Sequence, residues 1–220
     1  MGKNNSEHLY LAQLKKNWAD YSAEHTWTEP IITLILLVAT LVFFTHFINA
    51  VEARNGVELN DPILKLFKPI DISSLIFGII YLSIIIGLIS LINNPKRLVF
   101  ALQVYTLIVL VRILTLFLTP FNAPENMIPL VDPVVKNLGT GQMLTKDLFF
   151  SGHTATMFFL FLVSVNRKIK MFFLLGFIII AIALLLQHVH YTIDVVAAPF
   201  FAYVSFSLVR IFKNKTTKNN

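Results

Sequence analysis

Six stretches of this sequence are too long and too apolar for a water-soluble domain: about residues 31–50, 72–92, 98–119, 148–166, 171–189 and 190–212. A helix needs roughly 20 mostly apolar residues to cross about 30 Å of hydrocarbon. In hydrocarbon every backbone polar group must find its partner within the protein, which leaves helices or closed barrels. The runs lack the two-residue alternation of a membrane barrel. The expectation is an all-α polytopic membrane protein, a bundle of six transmembrane helices. Composition agrees, with 56% hydrophobic residues, 14% charged residues and a mean hydropathy of +0.72. The chain contains no cysteine, so disulfides, thiolate metal sites and cysteine nucleophiles are excluded.

Lysine and arginine orient the bundle. The N-terminal segment, the connections at Lys96-Arg97 and Arg167–Lys170, and the segment from Arg210 onward carry twelve basic residues. The other face carries five: Arg54, Lys65, Lys68, Lys136 and Lys146. The positive-inside rule then places both termini in the cytoplasm and the long connections 51–71 and 120–147 on the extracytoplasmic side. The net charge of +6 does not indicate nucleic acid, because the cations sit in short loops between apolar runs. Residues 1–29 form a cytoplasmic segment. Leu11, Leu14, Trp18 and Tyr21 recur there at helical spacing, which fits either a helix lying on the membrane surface or a polar tail with one packed turn. It is too long to precede a signal-peptide core, and the run from Ile31 to Ala50 is longer than such a core. Residues 30–212 make one membrane domain and 213–220 a basic tail. Gly78 and Gly87 in the second run are candidates for close helix packing, and the last two runs need a tight connection.

Polar residues placed where apolar runs begin or end carry the functional reading. Arg112 lies within the third run, roughly 10 Å from its outward end. A charge at that depth costs several kcal/mol unless paired, and marks a function by default. Its planar fork suits a lipid phosphate. Asp194 is a second candidate partner, and Thr115 stands one turn outward to assist. Ser151-Gly152-His153 suits the opening of a helix, where backbone N–H groups and the helix dipole favour an anion. Ser151 reads as an N-cap or phosphate donor; Gly-x-Ser-x-Gly, the nucleophile-elbow pattern, is absent. His190 and Asp194, four apart, would share one helix face, so the carboxylate can fix the imidazole tautomer. His188, two residues from His190, cannot share that face and reads as packing or headgroup contact. Asp147 holds the turn or contacts a headgroup amine. The stretches Pro120–Pro124 and Met127–Pro133 stiffen the outer connection, as a lid, a headgroup wall or an ordinary loop. His153, His188, His190 and Asp194 also have the chemistry of a zinc site. Against zinc stand the missing His-Glu-x-x-His pattern and the repulsion of Arg112.

Asp147-x3-Ser151-Gly-His-Thr154 and His190-Tyr-Thr-Ile-Asp194 resemble the two C-terminal motifs of the sphingomyelin synthases, a branch of the type-2 phosphatidic acid phosphatase superfamily. Arg112-Ile-Leu-Thr115 is similar to that family's earlier Arg-x-x-Thr motif. Thr145-Lys146 replaces the family's usual Cys-Gly, and the proline-rich first motif has no clear counterpart. The wider superfamily's Lys-x6-Arg-Pro and Ser-Arg-x5-His patterns are absent. The resemblance implies a six-span fold and transfer of a phospho-headgroup from a membrane phospholipid donor to a lipid hydroxyl such as ceramide. It implies that His190 is the nucleophile, Asp194 its orienting partner and His153 the acid and then the base. Arg112, Ser151 and Gly152 would hold the phosphate. No metal or cofactor is required. Two other readings use the same residues: a lipid phosphatase or phospholipase C-like hydrolase with water as acceptor, and a transporter with a polar relay. The relay lacks polar residues continuing into the cytoplasmic halves of the spans.

Overall fold

A computed structural model describes residues 2–24, 26–131 and 144–219. Among these there are seven α-helices: α1 (Gly2–Glu24), α2 (Thr28–Ala53), α3 (Ser73–Ile92), α4 (Pro95–Leu118), α5 (Gly152–Val163), α6 (Arg167–Leu186) and α7 (Thr192–Asn219). A 3-10 turn at Leu64–Leu66 and one parallel bridge between Val57 and Phe121 complete the regular structure, with no strands among the described residues. Asp132, Pro133 and Lys136, assigned above to the outer connection, lie outside the described residues.

Five helices, α2, α3, α4, α6 and α7, are long and apolar enough to cross a membrane. Their outward faces carry large exposed apolar side chains, such as Ile35, Phe43, Ile85, Phe117, Leu175 and Phe200. In water such surface would be a liability; against lipid tails it is matched. The fourth apolar run behaves differently. Its helix, α5, has 12 residues, about 18 Å, and starts at Gly152 rather than at 148. Residues 144–151 approach it as non-helical chain whose polar groups bond to other elements, as described below. The reason is local: Ser151 is the N-cap, its Oγ accepting from the Thr154 N–H.

The other boundaries follow the same logic. Asn94 caps α4, with Pro95 at its first position, where a missing N–H costs nothing. Asn166 caps α6, accepting from the N–H groups of Lys168 and Ile169. The α6–α7 connection is the expected tight one, residues 187–191. α7 continues through Asn219, so the segment read as a tail is a helical extension of the last span.

α5 lies at the centre, against α6 and α7 and in contact with α3 and α4; α2 packs on α4. Ala155, Met157, Phe173, Ile180, Leu184 and Ala198 meet in the main core. Gly87 meets the expectation of close packing: a Cβ there would lie 2.7 Å from Leu160 Cδ2. Gly78 does not, since no atom lies within 4 Å of a Cβ placed there. The N-terminal segment is a helix rather than a tail with one turn. Trp18 Nε1 donates to Ile92 O at 3.0 Å and Asn17 Nδ2 to Asn93 O at 2.7 Å. Trp18 stacks on Trp27 at 5.8 Å, and Tyr21 is buried. Leu11, although part of the sequence stripe, is exposed.

These contacts define what docks α1. Replacing Asn17 and Trp18 together by alanine removes two hydrogen bonds of about 1 kcal/mol each and the stacked indole. Trypsin is then expected to cut after Lys15 and Lys16 roughly tenfold faster or more while the bundle stays intact. Unchanged cleavage would show that α1 is held by something else.

Candidate active site

The site is built where the C-terminal end of α4 meets the starts of α5 and α7. Arg112 is buried in α4, about six residues from its end. Its Nε donates to Phe150 O at 2.9 Å and its NH2 nitrogen to Asp147 Oδ1 at 2.6 Å. Its Cζ also sits 5.2 Å from the centre of the Phe44 ring on α2. Sequence reasoning offered a phosphate or Asp194 as the partner; in the structure the carboxylate bonded to Arg112 is Asp147. That residue therefore holds the guanidinium as well as the turn. Thr115 does not reach the guanidinium. Its hydroxyl lies 3.1 Å from Arg112 O and 3.2 Å from Phe149 O, bracing the chain that leads into α5.

That chain is fixed from several sides. Glu52, at the end of α2, accepts from the Thr145 N–H, the Thr145 hydroxyl and the Lys146 N–H. Lys146 Nζ donates to Arg54 O at 2.6 Å. Arg54 in turn donates to Leu116 O and Phe117 O, satisfying last-turn carbonyls of α4. The Ser151 N–H then donates to Asp194 O at 3.1 Å, which ties the start of α5 to the start of α7. Irregular backbone at membrane depth is tolerated when the protein satisfies it in this way.

Gly152 brings the guanidinium against the first turn of α5. A Cβ at this position would stand 2.7 Å from Arg112 Cζ and 2.8 Å from its NH1 nitrogen. The positive end of the α5 dipole and the Arg112 charge thus occupy one place, an arrangement suited to an anion. His153, half-buried, follows Gly152 directly, with its ring 6.4 Å from that of Phe77 on α3.

His190 and Asp194 are in contact, Nδ1 to Oδ2 at 3.4 Å, and both are buried. They do not lie on one helix face as their spacing suggested. α7 begins at Thr192, so His190 sits in the turn before it. Asp194 is at the third helical position and reaches back, as the acid of a capping box does. Its Oδ2 accepts from the Tyr191 N–H at 2.9 Å as well as approaching His190. Asp194 Oδ1 is buried with no hydrogen-bond partner among the described residues, leaving acceptor capacity at this carboxylate. With Nδ1 directed at Asp194, Nε2 is the ring nitrogen of His190 that this carboxylate does not engage.

His188, read above as packing or headgroup contact, lies in the turn between α6 and α7. It is buried at φ 57°, its ring stands 5.4 Å from Phe67, and Nδ1 lies 3.3 Å from Glu125 O. It also lines a cavity of about 930 Å³ between the two outer connections. Glu58, Lys65, Lys68 and Glu125 line the same cavity, as does Tyr191, which follows His190 in the chain. Among the described residues no three histidine or acidic side chains gather as metal ligands.

Several supporting residues escaped sequence reasoning. Asp61 accepts from the Thr192 N–H at 2.6 Å and from its hydroxyl at 3.1 Å, tethering the first turn of α7. Burial alone would raise the Asp61 carboxyl, but hydrogen bonds from Thr192, Ile63 and Leu64 outweigh it and hold the group below its usual value. Tyr191 donates to Asn122 O and accepts from the Leu59 N–H, joining both outer connections to the site. Gln187, fully buried, bonds Ser73, Ile72 and Ile128. The signals were a proline-flanked aspartate in the first connection and a glutamine ending an apolar run.

Residues 146–211 match the family model described as PAP2 superfamily C-terminal. Under a third of the chain is covered, but that segment holds Asp147, Ser151–His153 and His190–Asp194; Arg112 lies outside it. The match supports the type-2 phosphatidic acid phosphatase superfamily, hence an enzyme of the lipid phosphatase or phosphotransferase kind. No curated protein and no solved structure matches the chain.

Two stability predictions test this construction. Gly152→Ala forces Arg112 off Phe150 O and Asp147, at an expected cost of about 1–3 kcal/mol in melting experiments. Gly78→Ala, in open space on a helix, should be neutral or slightly stabilising. Equal effects would mean that Gly152 does not hold the guanidinium in place. Asp61 gives a pH signature. Its folded-state pKa is depressed, so its contribution is full above the unfolded value near 3.9 and is lost as pH falls through the folded value. The stability gap between the protein and Asp61→Asn should be present at pH 5–7 and close below about pH 4. A gap independent of pH would contradict it.

Proposed function

We propose that the chain is an integral-membrane phosphotransferase that moves a phospho-headgroup from a glycerophospholipid to a lipid hydroxyl such as ceramide, through a phosphohistidine. The observation that carries this reading is the junction of two helix starts, Ser151 N–H to Asp194 O, with the Arg112 guanidinium against Gly152. It supports the reading because a phosphate held at this helix start would lie near the turn that carries the His190–Asp194 pair. The match of residues 146–211 supports the same chemistry at the level of the superfamily.

In this mechanism Nε2 of His190 attacks phosphorus, and the bond from phosphorus to the diacylglycerol oxygen breaks. His153, protonated at the outset, gives its proton to that departing oxygen. The acceptor hydroxyl then attacks the phosphohistidine, passing its proton to His153 as the phosphorus–nitrogen bond breaks. Acid and base are one residue acting in turn. Imidazole exchanges protons near neutral pH, so both roles are accessible. Arg112 and the first turn of α5 offset charge on the phosphoryl oxygens. Ser151 caps the helix and positions its amides. The polar cavity beside Tyr191 is where the headgroup lies, with His188 in its wall. On the orientation argued from lysine and arginine, the donor comes from the extracytoplasmic leaflet. With water as acceptor the same steps amount to a phospholipase C-like hydrolysis, so the acceptor decides between transferase and hydrolase.

Lipid product analysis of the purified protein, with and without ceramide, should show diacylglycerol release and, with ceramide present, a phospho-headgroup ceramide. Release of a free phospho-headgroup in both cases would make the protein a hydrolase. His153→Ala, His190→Ala and Asp194→Ala should each lower turnover by at least roughly 10³-fold without impairing insertion, and His188→Ala should retain most of it. A labelled phosphohistidine should be trapped from donor lipid without acceptor in the protein and not in His190→Ala. If His188→Ala were as inactive as His190→Ala and chelators inhibited, zinc chemistry would replace this mechanism.

A further inference from the structure

At the end of the bundle opposite the candidate active site lies a second cavity, of about 630 Å³. Four cations line it: Lys96 and Arg97 from the first turn of α4, Lys170 from the first turns of α6, and Arg210 from α7. Among the described residues no carboxylate lines it, and Phe100, Leu162 and Phe206 give it an apolar side. Lys96 pairs with Glu24 at 2.8 Å. Lys170 Nζ sits over the Phe161 ring at 4.7 Å. Arg97, Lys170 and Arg210 have no carboxylate partner among the described residues. α4 and α6 also begin at this end and add the positive ends of two helix dipoles, while α5 ends against the cavity at Val163 and contributes the negative end of a third.

The bland account of these cations is orientation by the positive-inside rule. That rule needs only a number of cations on one face. It does not need three elements far apart in sequence to bring them around one cavity with an apolar side. Like charges gathered there repel, and among the described residues no lining carboxylate offsets them; the last turn of α5 offers only the partial charge of its carbonyls. An anion would. A guanidinium grips phosphate with two parallel bonds, an ammonium with one. Basic pockets between membrane helices have the chemistry of sites for anionic lipid headgroups.

We propose that this cavity binds one anionic phospholipid from the leaflet opposite the active site. Its phosphate is held by Arg97, Lys170 and Arg210, and an acyl chain lies along Phe100, Leu162 and Phe206. The bound lipid joins α4, α6 and α7 at the end where their charges otherwise push them apart. The site is independent of the transfer chemistry and survives if that reading fails.

The test uses the full chain in nanodiscs of phosphatidylcholine with added phosphatidylglycerol, read by native mass spectrometry for retained lipid and by thermal melting. The protein should retain one phosphatidylglycerol in preference to phosphatidylcholine and melt at a higher temperature with it. The triple variant Arg97→Gln, Lys170→Gln, Arg210→Gln should bind it on the order of 10- to 100-fold more weakly and lose the melting shift. A charge-matched control, Arg167→Gln, Lys168→Gln, Lys215→Gln, removes three exposed cations outside the cavity and should behave like the parent. Equal loss in both triple variants would reduce the effect to a diffuse field and overturn the proposal. So would the absence of any preference over phosphatidylcholine. If inorganic phosphate alone reproduced the melting shift, the cavity would be a free-anion site and the lipid assignment would be wrong.

Discussion

A guanidinium buried in a membrane helix is stable only if the surrounding chain supplies partners, and Arg112 dictates which chain does so. Asp147 and the Phe150 carbonyl take its hydrogen bonds, and Phe44 covers its π-face. Because those two partners are close in sequence, the segment between them must pass alongside α4 as non-helical chain. That fixes where α5 can begin. Ser151 is the first position free to cap a helix, and Gly152 the only kind of residue that leaves room for the guanidinium. One costly charge thus sets the depth, the start and the direction of the helix that carries His153.

The same constraint explains the polar bonding at this end of the molecule. Glu52, Arg54, Thr115 and Lys146 all bond to backbone of the segment or to one another's supports. Removing a helix from 144–151 exposes several N–H and C=O groups at once, each expensive without a partner. Asp61, Tyr191 and Gln187 do the corresponding work around the turn before α7. The candidate catalytic groups are few, but the residues around them come from every described connection at this end of the bundle.

Much of this was legible in the sequence because membrane spans announce themselves by length and composition. Five of the six apolar runs are long helices near their expected places. Ser151 as a cap, and Arg112 as a buried charge that must be paired, also follow from local chemistry. The pairing of Arg112 with Asp147 did not, because 35 residues separate them and many other acids were possible partners. Spacing misled for His190 and Asp194: four residues apart suggests one helix face, yet the helix starts between them, and the aspartate reaches back as a cap. Gly78 and Gly87 looked alike in sequence, and only the neighbouring helix distinguishes them. The start of α5 at 152 rather than 148 was hidden for the same reason, since the run stays apolar through Leu148-Phe149-Phe150 while its backbone serves Arg112.

The shortness of α5 has a chemical consequence. At about 18 Å it covers little more than half of a 30 Å hydrocarbon layer, and Arg112 lies about 9 Å below the end of α4. The positive end of α5 therefore opens inside the bundle, below the end of α4, rather than at the rim where the long helices finish. Arg112 is buried there, so under the proposed function the dipole and guanidinium would act on a phosphate in a lower dielectric than at the rim. A full-length fourth span would place its N-terminus at the rim, where solvent would screen it. The non-helical approach through 144–151 thus places a helix start, which is ordinary at a surface, inside the bundle, where the proposed function would use it to hold an anion.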